Sequence, residues 1–135
     1  MHVYASPSYL NRYGKPQHVC DFDSHKIITF GEPAPSYLLD VNWLEVAGRP
    51  SGSPRPSQLQ VNNIIAIKKA AQLGVGIAIL PDYVVEHDAG LVQLDIDSAV
   101  PSFDCFFCYP EEMRGSAKLQ AFRDFLISKA RNWKF

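Results

Sequence analysis

The chain has 135 residues, 47% hydrophobic and 20% charged, a balance that excludes an intrinsically disordered segment. Thirteen Lys and Arg stand against 14 Asp and Glu for a net charge of −1, which argues against holding a nucleic-acid backbone by charge alone. No apolar run approaches the ~20 residues of a bilayer span, so no membrane association is expected. Three cysteines, an odd count, make no disulfide framework and fit a reducing, cytoplasmic setting. The opening Met1-His2-Val3-Tyr4-Ala5-Ser6-Pro7 lacks a basic region followed by an apolar one, and no secretory leader is expected there.

In chain order, His2 to Ala5 reads as a short strand. Ser6-Pro7 follows as an N-cap and first-turn proline, Tyr9, Leu10 and Tyr13 recur at helical spacing, and Gly14 closes the helix. Asp21 to His25 is polar enough for a single turn. Ile27 to Phe30 is a β-branched run bounded by Gly31, hence a strand. The proline-dense stretch from Glu32 to Ser57 disfavours long elements, and within it Tyr37 to Val46 reads as two short strands around Trp43. Gly48 to Ser57 reads as a loop. Next, Leu59-Gln60-Val61 is a strand, Asn62-Asn63 stand at a helix cap, and Ile64, Ile67, Ala70 and Ala71 share a helical face that Gly74 ends. Gly76 to Leu80 is a buried-looking strand stopped by Pro81, so this stretch predicts a βαβ unit with parallel strands. Tyr83 to His87 predicts a short helix, and Leu91 to Leu94 and Phe103 to Tyr109 predict strands. Ser116 to Trp133 predicts an amphipathic helix with Leu119, Phe122, Leu126, Ala130 and Trp133 on one side.

Few of the chemical motifs survive scrutiny. Cys105 and Cys108 are spaced as C-x-x-C, but within a strand pattern that spacing points them to opposite faces, so buried apolar cysteines are expected rather than a redox or zinc site. Gly74-Val75-Gly76 runs from helix to strand, the reverse of a dinucleotide fingerprint, and Ile79 occupies the third glycine position. No G-x-S-x-G occurs, Cys20 and His25 are a chance proximity, and the carboxylate pairs Asp21/Asp23 and Glu111/Glu112 lie in polar turns. No catalytic residue, metal ligand or cofactor is therefore expected. One feature points to binding. Val61-Asn62-Asn63-Ile64 ends a parallel strand and opens a helix, placing backbone N–H groups and two amides at the carboxyl edge of a sheet, where open α/β folds hold ligands. A helix cap explains Asn62 or Asn63 equally well. Thr29-Phe30-Gly31 ends a second predicted strand, so the two loops can face one cleft.

Taken together, Tyr4 to Leu10, Gly14-Lys15-Pro16, Asp21 to Ile28, Val61-Asn62-Asn63, Ala70-Ala71, Gly74 to Tyr83, Leu91-Val92, Tyr109-Pro110 and Leu119 to Leu126 resemble, in order and spacing, the effector-binding domain of LysR-type transcriptional regulators. The resemblance implies an α/β fold, a Rossmann-like lobe of the type 2 periplasmic-binding-protein kind with part of a second lobe. Residues 1–80 would form the second regulatory lobe with the first crossing strand, and 81–135 the C-terminal part of the first lobe. The family's amino-terminal DNA-binding domain has no counterpart here, so promoter DNA would be reached only through it. Tyr4, Ala5, Leu80 and Pro81 fall at the hinge. Strand ends and resemblance together nominate Thr29, Phe30, Gly31, Val61, Asn62 and Asn63 as effector-binding, with Thr29 and the Asn pair meeting a carboxylate or similar group and Phe30 and Val61 forming apolar walls. The apolar face of the last helix exceeds the sheet this chain offers it, so self-association or repositioning of the tail is expected. A solute-binding protein of the same fold is the nearest alternative, and a cysteine hydrolase using Cys20 and His25 a distant third.

Overall fold

A computed structural model describes residues 1–31, 40–85, 90–102 and 106–131. The chain divides into two compact units, Met1–Ser102 and Phe103–Phe135. In the first, strands β1 (His2–Ala5), β2 (Ile27–Thr29), β3 (Leu59–Gln60), β4 (Ile77–Leu80) and β5 (Val92–Leu94) form one sheet in the order β3-β2-β4-β1-β5. β2 runs parallel to β3 and β4, and β1 runs antiparallel to β4 and β5. The predicted β3–helix–β4 unit is present, with β2 inserted between its two strands. Because β5 lies beside β1, the sheet continues past residue 80.

Helices cover both faces. α1 (Pro7–Tyr13) starts where Ser6 accepts a bond from the Tyr9 N–H and stops at Gly14, whose φ of 85° suits a residue without Cβ. With the 3₁₀ turn Val19–Ser24 and α2 (Trp43–Val46), it packs on the face carrying Val3, Ile27, Ile77 and Ile79. α3 (Ile64–Gln72) and α4 (Asp82–Val85) pack on the face carrying Tyr4, Ile28, Ala78 and Leu80. All four residues of β4 are buried, as a central strand covered on both sides requires, which explains the unbroken Ile-Ala-Ile-Leu run.

The second unit holds a 3₁₀ turn, Glu111–Met113, and α5 (Ala117–Arg131), with Lys129 and Arg131 in the last turn complementing its dipole. Phe107 stacks edge-on against Phe122. No helix among the described residues is long and apolar enough to cross a membrane.

Three expectations need correction. Residues 43–46 are helical, because Leu44 and Ala47, three apart, both enter the core while Val46 between them is exposed, a helical rather than an alternating pattern. Residues 106–109 pair with no strand, and Phe106 is 81% exposed, so an aromatic run without a ladder partner stays irregular. Cys108 is consequently exposed rather than buried, as is Cys20, and both thiols are free; Cys105 lies outside the described residues. Gly48–Ser57 is a loop, as the sequence predicts, and it buries Arg55. Residues 37–39, 86–87, 103–105 and Trp133, parts of other expected elements, also lie outside the described residues.

Candidate functional site

Parallel pairing sets the carboxyl ends of β2, β3 and β4 along one sheet edge, with Thr29 in register with Gln60. Thr29 ends β2, and the loops leaving that edge carry the other five nominated binding residues. Thr29 is 1% exposed, and its hydroxyl lies 3.0 Å from Glu45 Oε1 and 2.6 Å from Ser57 Oγ. Ser57 Oγ is itself 2.8 Å from the same Glu45 oxygen. Two hydroxyl protons serve these three contacts. Gln60 Nε2 approaches Glu45 Oε1 from 3.4 Å.

Phe30 is gripped at its backbone: its N–H donates to Asn42 Oδ1 at 2.8 Å and its carbonyl accepts from Asn42 Nδ2 at 3.0 Å. At Gly31 a Cβ would stand 1.9 Å from Asn62 Oδ1, so only glycine admits that amide so close. The Val61 N–H donates to the Thr29 carbonyl. Asn63 is the N-cap of α3, its Oδ1 accepting from the Ile65 and Ala66 N–H groups at 2.9 and 3.1 Å. The structure thus brings Gly31 and Asn62 into contact and joins Thr29, Gln60 and Val61 through the β2–β3 ladder. It turns Asn63 toward its own helix.

The four residues expected at the hinge sit on or beside the antiparallel pair β1–β4, registered His2 to Leu80 and Tyr4 to Ala78. Just beyond Pro81, Asp82 accepts from the Tyr4 hydroxyl at 2.7 Å and meets His2 Nδ1 at 2.5 Å, with the Met1 ammonium 3.2 Å from its other oxygen. Burial pushes the Asp82 carboxyl up, but these partners outweigh it and hold it below the usual carboxylate range. The Tyr4 hydroxyl is pushed well up, by burial and then by the neighbouring carboxylate.

A hydrolytic centre does not assemble at Cys20 and His25. His25 Nδ1 is 3.1 Å from the Tyr9 hydroxyl, which already accepts from the Lys26 N–H, so the Tyr9 proton is available to the imidazole. Burial holds His25 below its ordinary range despite the Asp21 charge, and the Cys20 thiol turns to Asp21 at 3.9 Å. Among the described residues no group of three His, Cys, Asp or Glu could hold a metal.

Sequence reasoning missed Glu45, Asn42, Ser57 and Asp82. Glu45 and Asn42 were hidden by reading their segment as strand. The Ser57 and Asp82 contacts span long stretches of chain and leave no local pattern.

A mixed sheet with an antiparallel strand pair, and a glycine-seated amide at the carboxyl edge of its parallel part, defines an α/β domain of the open-sheet kind. The family model described as LysR substrate binding domain matches residues 1–131, and the chain belongs to that family. It is 28% identical over 131 residues to the HTH-type transcriptional regulator YcaN of Escherichia coli (strain K12), covering 92% of this chain and 40% of that protein. It is similar to the regulatory domain of CrgA, a LysR-type transcriptional regulator from Neisseria meningitidis, with a TM-score of 0.63 and 24% identity over 94% of this chain and 63% of that one. The effector domain of the regulator AmpR of Pseudomonas aeruginosa matches with a TM-score of 0.55 and 18% identity, covering 96% of this chain and 60% of that one. The two structural likenesses show the fold. The chain spans less than two thirds of each of these relatives. Family membership places this fold with transcriptional regulators rather than with transport.

Proposed function

We propose that this chain is the ligand-sensing part of a LysR-type transcriptional regulator, holding a small effector at the carboxyl edge of β2 and β3. The carrying observation is the seat of Asn62 over Gly31 at two converging strand ends, beside the paired strands β1 and β4. In this reading Phe30 and Val61 wall the site, Thr29 fixes its floor through Glu45 and Ser57, and Asn62 faces the ligand. Tyr4, Ala5, Leu80 and Pro81 form the hinge, residues 1–80 one regulatory lobe, and 81–135 part of the other. The ligand leaves unaltered, since the domain senses and does not catalyse. Effector binding shifts the balance between lobe arrangements, and promoter DNA is engaged through an amino-terminal domain of a self-associating, cytoplasmic regulator.

A thermal-shift screen of small metabolites on the purified chain tests the site. A compound that raises Tm for the wild type and loses that effect in Gly31→Ala, where the new Cβ displaces Asn62, supports the assignment. Equal stabilisation of both proteins by every active compound places the ligand elsewhere.

A further inference from the structure

We propose that the contact between Tyr9 and His25 is a proton-operated latch: the neutral imidazole holds α1 to the start of β2, and protonation loosens it. The latch is independent of the strand edge where the effector is placed. Tyr9, on α1, is buried, and its hydroxyl meets two groups, accepting from the Lys26 N–H at 2.9 Å and lying 3.1 Å from His25 Nδ1. A phenol has one proton to give, and burial pushes that of Tyr9 up, so the hydroxyl stays protonated at neutral and mildly acid pH. With the Lys26 N–H already donating, the phenol proton goes to Nδ1, the bare nitrogen of a neutral ring. An imidazolium carries N–H on both nitrogens, so Nδ1–H and the Tyr9 O–H then point at each other. Either the rings part, or the phenol turns its proton to where no acceptor stands among the described residues.

Three elements meet at the latch. α1 supplies Tyr9, with Tyr13 stacked on it at a centroid separation of 4.7 Å, the 3₁₀ turn Val19–Ser24 ends at His25, and Lys26 leads into β2. The Lys26 carbonyl accepts from the Ile77 N–H at 2.8 Å, and a Cβ at Gly76 would press on that same carbonyl. Freeing the Lys26 backbone from Tyr9 therefore slackens the point where β2 begins to pair with β4. The titratable groups around the imidazole are Tyr9 and Tyr13 from α1, Asp21 from its own turn, and Lys26, whose ammonium lies 5.4 Å from the centre of the Tyr13 ring. Among the described residues the β4 side brings only the uncharged Gly76 and Ile77. Burial is the larger influence and holds His25 below its ordinary range; Asp21 opposes it, but its Oδ2 already accepts from the Gln17 and His18 N–H groups at 2.9 Å each. The folded chain thus prefers the neutral ring. The stabilisation is present above the unfolded value, about 6.5, and is lost as pH falls from there through the lower folded value.

The experiment is NMR on the full chain from about pH 7.5 to about pH 5.5, the range in which a histidine changes charge. Long-range proton–nitrogen spectra identify the neutral tautomer of His25 and follow its titration, and hydrogen exchange gives the protection of the Lys26 amide. The expected results are an Nε2–H tautomer, titration below about 6.5, and a fall of about threefold or more in Lys26 protection across that range. His25→Asn sets an amide oxygen near the Nδ1 position, keeps an acceptor for Tyr9, and should hold Lys26 protection level. An Nδ1–H tautomer, titration at or above about 6.5, level protection in the wild type, or an equal acid loss in His25→Asn overturns the proposal. Should His25→Asn unfold, the wild-type tautomer and titration decide alone.

Discussion

Helices α3 and α5 present the same kind of sequence, an apolar stripe against a basic or mixed face, yet they end in different states. α3 buries Ile67, Ala70 and Ala71 against the sheet. α5 is longer, but none of its residues is buried, and Phe122 and Phe125 remain 52% and 54% exposed. An amphipathic stripe therefore states that a helix has a face to cover, and says nothing of whether its own unit covers it. The stability of the first unit rests on long-range burial; within the second unit, α5 has its propensity, its dipole and local aromatic contacts.

That contrast is open to test, beginning with the largest effect. Arg55→Leu leaves three backbone carbonyls and Asp23 without their shared partner, and should cost roughly 3–5 kcal/mol in urea unfolding monitored by circular dichroism. Ile67→Ala, on the covered helix, should cost about 2–4 kcal/mol. A cost under about 1 kcal/mol would show that α3 is no better anchored than α5. Asp82 gives a pH signature. Its folded pKa is depressed, so its stabilisation is present above the unfolded value, about 3.9, and is lost as pH falls through the lower folded value. Asp82→Asn should lower stability at pH 7 by about 1–2 kcal/mol and flatten the acid limb below about pH 4. A wild-type limb as steep in the variant would assign that limb to other carboxylates. The smallest effect belongs to α5: Phe125→Ser should change unfolding by no more than about 0.5 kcal/mol, and a large loss would reveal a buried role for that face.

Much of the fold was readable where a signal is local. Ser6-Pro7 and Gly14 bracketed α1, Asn63 and Gly74 bracketed α3, and the apolar run of β4 announced a strand covered on both sides. The readings that failed depended on distant partners. Four residues of α2 are too few to build a periodicity, and Phe106 to Tyr109 have strand-forming side chains but nothing to pair with. The strand-end loops of the candidate site were legible for the same local reason, since turn and cap residues mark where a parallel strand stops. Its electrostatics were not. Glu45 reaches Thr29 across sixteen positions and Ser57 across twelve, and Arg55 disappears into the core from a proline-rich loop that reads as solvent-exposed.

The antiparallel union of β1 and β4 also carries a cost in time. His2 and Asp82 are 80 positions apart, so β1 has no central partner until nearly eighty further residues have been translated. At ordinary elongation rates that interval is about 4–16 s. Throughout it Val3, Tyr4 and Ala5 form an unpaired edge on a nascent chain, the kind of segment that chaperones shield and that aggregates when they do not.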